Sequence, residues 1–591
     1  MNFLKILGAF LILSYSSNAQ NKSEKIFQTP FERDTTHTST YEEAVSFYKS
    51  LTEAYKNNVR FETIGNSDEG IKIYQFIISE KGINDGDEAH KKNKMVLFIN
   101  NGIHAGEPEG VDASMLFARE ILQSNNLNDI LKNSVIVIIP QYNVEGALNR
   151  NSTTRVNQNG PAEYGFRGTR RNFDLNRDFI KSDAENTVAF QKAFFNWQPD
   201  IFIDTHTSNG ADYQYTLTLL ETNINKLTPP AADFQKNKLL PYLYKKMEAQ
   251  NQIITPYVDF ADIPDNGLYG FFDSPRYSTG FTTLHNTIGF MIETHMLKPF
   301  AQRVRVTHTF LNTLLKFCTE NAEAIIKVHT DAENFNVHQK EFPLRWHLDT
   351  SQFTMRTFNG YAAEYKKSEA TTGNRLYYDR SKPYSKQVKY FNYFVPDITV
   401  QRPYAYVINA SQKKIITTLQ RFNVKMQSFV KPTNQVVEMY KILEFTSTEK
   451  PYEGHHPNKI KKIEKNDKTI TLSENDYIIV LDENPRLVRF LIETLEPQAT
   501  DSYFAWNYFD AILEHKEGFS DYVFEDIATD LLKSNTILNA LLKNKLATDS
   551  TFKANSKAQL TYIYSVSKYA EPNFSIYPIY RIKIKELRNQ D

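Results

Sequence analysis

A single cysteine, Cys318, in 591 residues excludes an intramolecular disulfide framework. Its setting in the helix-like run 310–318 marks it as a small buried hydrophobe. Neither sign of charge is in excess, since Lys+Arg and Asp+Glu both number 69. That balance provides no field to favour nucleic acid or anionic lipid. After the first twenty residues no apolar run reaches membrane-span length, and the chain has no internal repeat and no long low-complexity tract. Its length is beyond what one hydrophobic core serves, so several domains are expected.

The start, Met1 to Gln20, combines a lysine, a short apolar stretch and a small-residue end, Ser17-Asn18-Ala19. It reads as a signal peptide spanning residues 1–19 and cut after Ala19, with no stable membrane span once it is removed. No cysteine follows the cut, which excludes a lipoprotein anchor. An exported chain without disulfides, rich in Lys, Asn, Tyr and Phe, points to a bacterial protein that is periplasmic or secreted.

Up to about residue 330, short apolar strands alternate with amphipathic helices, as in Val111, Met115, Ala118 and Leu122 along one helix face. The pattern predicts an α/β fold, a mixed open sheet with helices on both faces, over residues 20–335. From 336 to 591 short aromatic segments between polar turns predict a β-rich stretch followed by α/β texture. Tyr404–Ile408, the helical 415–422 and 424–429 read there as strand, helix, strand. No motif in this second region carries chemistry; His455-His456 reads as a surface pair, and the lysine-rich run from Lys459 as a solvated hairpin edge.

The chemistry-bearing residues lie at strand ends. Met95-Val-Leu-Phe-Ile99 runs into Asn-Asn-Gly-Ile-His104-Ala-Gly-Glu107, where a His and a carboxylate three apart in a Gly-flanked turn can converge on one metal ion. Ile201-Phe-Ile-Asp204 runs into Thr205-His206, and Ile288-Gly-Phe-Met-Ile into Glu293. In an open α/β sheet, ligands bind beyond the carboxyl ends of the strands, so these groups can meet there. Between them lies an arginine-rich segment, Phe166-Arg167-Gly-Thr-Arg170-Arg171-Asn-Phe-Asp174-Leu-Asn176-Arg177.

In this order along the chain, His104-x-x-Glu107, Asp174-Leu-Asn176-Arg177, His206 and Glu293 resemble the zinc carboxypeptidases of the carboxypeptidase A-like family (M14). The resemblance covers roughly residues 40–320. It implies one zinc ion per chain held by His104, Glu107 and His206, with Glu293 as general base and Asp174 orienting the His104 imidazole. It further implies that Asn176 and Arg177 clamp the substrate's terminal carboxylate. Arg167 is the candidate for stabilising the oxyanion, with Arg170 and Arg171 as alternatives because the spacing to Asn176 is shorter than in the digestive enzymes. Tyr277 is the candidate for the tyrosine that covers the substrate. His285 and His295 read as structural or as supports behind the metal ligands.

The expected function is an exported metallocarboxypeptidase acting on peptides or on peptide stems from peptidoglycan. Two other readings stand beside it: a zinc amidohydrolase that deacylates small N-acyl amino acids, and an inactive peptide-binding protein on the same scaffold. Side-chain preference and oligomeric state are not legible in the sequence.

Overall fold

Continuous apolar runs become the centre of a sheet covered on both faces, as expected for parallel strands without an exposed side. The computed structural model describes residues 27–583, so the leader expected at 1–19 lies outside the described residues. The strands are β1 (Val59–Asn66), β2 (Lys72–Ile78), β3 (Met95–Asn100), β4 (Ser134–Ile139), β5 (Ile201–Ser208), β6 (Leu217–Glu221), β7 (Thr255–Pro256), β8 (Leu268–Tyr269) and β9 (Ile288–His295). Eight of them form one sheet in the order β1-β2-β4-β3-β5-β9-β6-β7. The four central strands are parallel, whereas β1 with β2, β2 with β4, and β6 with β9 pair antiparallel. This is a mixed α/β sheet, as the alternating pattern predicts.

Side-chain alternation on the central strands serves two faces. Leu97, Ile99, Ile201 and Ile203 join a core with Val111, Met115, Ala118 and Leu122 of the helix Glu109–Gln123 and with Phe310 and Leu314 of the helix Phe300–Glu320. Cys318 lies in that same core. Phe98 and Phe202 point the other way, to Phe190 and Phe194 of the helix Glu185–Trp197, with ring centroids 5.7–6.4 Å apart. Burying each such ring contributes about 1.5–3 kcal/mol, so the two aromatic layers help fix how far the strand ends project.

At the starting edge of β5, Asp200 is fully enclosed among three elements. Its carboxylate accepts from Val96 N at 2.8 Å and lies 3.0 Å from both His90 Nε2 and His329 Nδ1, while Glu333 lies 3.5 Å from His329 Nε2. Burial works against a charged His329, but its hydrogen bonds to Asp200 and Glu333 outweigh that and push it up to about 9. A raised folded-state pKa contributes stability that is fully present below about 6.5 and is lost as pH rises through 9; the difference is roughly 3 kcal/mol at most. Denaturant unfolding of wild type and His329→Gln should therefore show a stability gap that is wide at pH 6 and narrows toward pH 10. A gap of constant size across that range would mean that His329 is uncharged in the folded protein.

The chain divides into two compact units. The first contains the eight-stranded sheet and continues through residue 402, with segments 414–425 and 481–502. It adds β10 (Glu341–Leu348), β11 (Thr354–Lys367), β12 (Asn374–Phe391) and β13 (Phe394–Gln401). β10 pairs with β13, while the hairpin β11-β12 carries β8 as a third strand. The region 336–591 thus contributes segments to both units.

The second unit holds an antiparallel six-stranded sheet in the order 427–428, 477–480, 405–408, 579–582, 433–447, 458–472. The strands 405–408 and 427–428 both pair with 477–480, so the expected strand, helix, strand reading places two strands on either side of a third. Arg581 and Glu438, register partners on adjacent strands of this sheet, form a buried ion pair at 3.0 Å. The lysine-rich run occupies the long edge strand Asn458–Leu472, most of whose residues are exposed. Four helices between 521 and 565 pack separately around Phe524, Leu538, Phe552 and Tyr564.

Candidate metal centre and active site

The turn after β3 carries two donors because its backbone bends where few residues can. Gly102 has φ +67°, and a Cβ on it would lie 2.2 Å from the Gln141 amide, which donates to the Gly102 carbonyl at 3.0 Å. The chain then folds back so that Glu107 N donates to the His104 carbonyl at 2.9 Å. His206 comes from the far end of β5. Register places Glu293 of β9 directly beside it, with Thr207 opposite Thr294.

Three ligand-capable side chains converge there, Glu107 turning one oxygen toward each histidine. His104 Nδ1 lies 3.3 Å from Glu107 Oε1, and His206 Nδ1 lies 3.3 Å from both His104 Nδ1 and Glu107 Oε2. Ligands about 2.0–2.1 Å from a tetrahedral zinc are separated by about 3.3–3.4 Å, so the spacing fits that ion. Each imidazole is backed by a carboxylate at its other nitrogen: His104 Nε2 lies 2.9 Å from Asp174 Oδ1, and His206 Nε2 lies 3.0 Å from Asp204 Oδ2. Such backing orients a ligand ring and raises its basicity. Among the described residues this is the one His/Cys/Asp/Glu group with metal-site geometry.

The electrostatics also suit a cation. Burial disfavours charge on His206, but Asp204, Glu107 and Glu293 hold its imidazole well above the usual histidine range. Burial likewise opposes an ionised Glu107, yet His104 and Arg155 hold its carboxyl well below the usual carboxylate range. Glu293 goes the other way. Burial, with some help from Glu107, outweighs the cations around it and pushes it up to about 7.

A cavity of about 410 Å³ opens over these groups, bordered by Arg155, Arg167, Asn176, Arg177, Tyr257 and Tyr277 as well as by the three donors and Glu293. Arg167 spans two carboxylates, with Nη2 2.9 Å from Asp174 Oδ2 and Nη1 3.3 Å from Glu107 Oε1. The alternatives lie elsewhere: Arg170 is exposed beside Glu69, and Arg171 is exposed beside Asp68 with its guanidinium over Phe173. Asp174 turns the loop by accepting from Asn176 N at 2.9 Å. Asn176 is buried, and its Oδ1 accepts from Ser278 N at 3.0 Å, joining this loop to the segment of Tyr277. Arg177 lies with its guanidinium 4.3 Å from the Tyr277 ring centroid.

All the expected site residues therefore meet at one place, and three further ones join them. Asp204 had a signal, because Asp-x-His on a strand places both side chains on one face. Arg155 had none, since it sits in a polar loop that reads as solvated. Tyr257, bordering the cavity beyond β7, is one of 34 tyrosines and is not singled out by any spacing. His285 packs against Phe194, Phe195, Phe281 and Phe490 instead of the donors. His295 lies edge-on to Tyr213 with centroids 4.6 Å apart.

A family profile described as zinc carboxypeptidase matches residues 44–199, which include His104, Glu107, Asp174, Asn176 and Arg177 but stop short of His206 and Glu293. Carboxypeptidase 2 of Trichophyton equinum is 23% identical over 468 residues, covering 74% of this chain and 78% of that protein. Carboxypeptidase 2 of Trichophyton rubrum is 22% identical over 467 residues, with the same shares of each chain. Coverage of that extent exceeds the part of the chain before residue 336, so the likeness continues into the C-terminal region. Among solved structures, the carboxypeptidase A of Helicoverpa armigera aligns at 15% identity and a TM-score of 0.36, over 49% of this chain and 74% of its own. A metallo-carboxypeptidase from Burkholderia cenocepacia aligns at 12% identity and a TM-score of 0.35, over 50% and 70%. Residues 44–199 therefore match the zinc carboxypeptidase family and the chain is a zinc metallopeptidase, with a large region beyond the matched segment.

Proposed function

We propose that this chain is an exported zinc carboxypeptidase that removes residues one at a time from the C-termini of peptides or of cell-wall peptide stems. The observation that carries the reading is a single cavity holding the three converging donors, Glu293 on the neighbouring strand, and the guanidinium of Arg177. Export, to a periplasm or to the medium, rests on the leader read in residues 1–19.

His104, Glu107 and His206 would hold the zinc, with Asp174 and Asp204 fixing the two imidazoles. Bound there, the ion supplies Lewis-acid polarisation of a carbonyl and of a water molecule. Glu293, poised near neutrality, accepts the proton of the attacking water and passes it to the departing amine. Arg167 donates to the oxygen that gains negative charge as the carbonyl is attacked. Arg177 presents its planar fork to the terminal carboxylate, with Asn176 beside it. The Tyr277 ring lies against the Arg177 guanidinium at the cavity border, where it would cover bound substrate.

Products distinguish this from deacylation. A mixed pool of free-acid peptides, with muropeptides and N-acyl amino acids in parallel, should yield ladders shortened from the C-terminus by mass spectrometry. Turnover confined to N-acyl amino acids would favour the amidohydrolase, and binding without any turnover would favour the inactive scaffold.

A further inference from the structure

Arg155 has no part in the roles above. It comes from the polar loop Asn151-Ser-Thr-Thr-Arg155, yet its side chain is only 13% exposed. Each nitrogen of its guanidinium has its own acceptor. Nη1 donates to Glu107 Oε1 at 2.9 Å, Nη2 to the Thr207 carbonyl at 3.0 Å, and Nε to Gln158 Oε1 at 2.7 Å. The Gln158 amide in turn donates to the Gly106 carbonyl at 3.0 Å. These acceptors belong to three separate segments: the turn bearing His104 and Glu107, the end of β5 just past His206, and the loop of Arg155 itself.

The arrangement closes on itself, because the other Glu107 oxygen accepts from Thr207 N at 2.8 Å. Gly106 leaves the room that Arg155 needs, since a Cβ there would lie 2.7 Å from Arg155 Cδ. Arg167 also reaches Glu107, but it is 42% exposed and leans chiefly on Asp174. The two arginines thus differ in kind. Both border the cavity, but every guanidinium nitrogen of Arg155 is committed to an acceptor in the protein, whereas Arg167 is the more exposed.

We propose that Arg155 is a positioning residue for the metal centre, locking the Glu107 carboxylate to the strand that carries His206; this rests on reading His104, Glu107 and His206 as the zinc ligands. A planar fork can bridge three acceptors at fixed angles, which a lysine ammonium on a flexible stem cannot. Groups that orient metal ligands typically change metal affinity by about 10–100-fold when replaced.

The test is the zinc dissociation constant of the full chain, stripped of metal and titrated with zinc against a chelator. Arg155→Lys keeps the positive charge beside the site, so a change reports the lost fork and not altered repulsion of the dication. We expect it to bind zinc about 10–100-fold more weakly. Gln158→Leu, remote from the ligands, should shift affinity in the same direction by a smaller factor. Arg167→Lys should hold zinc as wild type does while kcat falls. Unchanged zinc affinity in both Arg155→Lys and Gln158→Leu, with a raised KM for peptide, would overturn the proposal and make Arg155 a substrate contact. Equal affinity with a lower Tm of the zinc-free protein would overturn it in favour of a purely structural role. Failure of the wild-type chain to bind zinc would instead strike the ligand assignment itself.

Discussion

Glu293→Gln is expected to retain zinc and fold while losing about 10²- to 10⁴-fold in kcat. The substitution keeps the shape of a side chain that β9 holds beside His206, so packing should change little. What it removes is the capacity to accept a proton. Burial pushes Glu293 up to about 7, which places it where a base can both take a proton from water and return it to an amine near neutral pH. An amide has no such equilibrium. Steady-state kinetics on metal-loaded protein checks this, with metal content measured on the same sample. Near-normal kcat would place the base elsewhere in the cavity.

Replacing a donor should act differently. Both His104→Ala and His206→Ala are expected to reduce zinc from about one per chain to a small fraction, because two remaining donors cannot retain the tight affinity of three. Peptide turnover should fall at least as far as in Glu293→Gln. Their stabilities should diverge. In His104→Ala, Asp174 keeps Arg167 at 2.9 Å and so remains paired. In His206→Ala, Asp204 stays buried beside a neutral amide, Asn100, at 3.1 Å. Breaking a buried pair by removing one partner costs about 3–5 kcal/mol, so His206→Ala should have the lower Tm of the two zinc-free proteins. Elemental analysis with thermal unfolding reads out both effects. Full zinc occupancy in both variants would end the ligand assignment.

The meeting of the candidate donors and Glu293 was legible because apolar runs of strand length lead into His104, Glu107, His206 and Glu293, and parallel strands bring such ends to one edge; their separate roles were read from the family resemblance. Asp174 entered through resemblance, whereas Asp204 was readable from its two-residue offset to His206. The arginines were harder. Nothing in Phe166-Arg167-Gly-Thr-Arg170-Arg171 says which side chain turns inward, because that depends on a reversal in which Asn172 has φ +61° and Thr169 N donates to the Phe173 carbonyl. Arg155 was invisible for a related reason. A polar loop looks solvated until the segments it braces are known.

The C-terminal part shows the other limit. Its long strands, Thr354–Lys367 with Asn374–Phe391 and Thr433–Ser447 with Asn458–Leu472, are largely exposed or half-buried and its other strands are short, so local pattern indicates their presence with little sign of where they belong. Segments 414–425 and 481–502 join the first unit, while the residues between them form most of the second unit's sheet. Only non-local contacts decide that division, and no periodicity encodes them.

The central claim is that peptide cleavage here is directed by a substrate's terminal carboxylate held at Arg177. The most direct measurement compares kcat/KM for one peptide as free acid and as C-terminal amide, in wild type and in Arg177→Met. The amide removes the terminal negative charge that Arg177 would hold, a loss of roughly 2–5 kcal/mol when such a pair is buried. Wild type should therefore prefer the free acid by about 30-fold or more, at 1.4 kcal/mol per tenfold, and Arg177→Met should narrow that preference by slowing the acid far more than the amide. Equal cleavage of acid and amide by the wild-type enzyme would contradict the account.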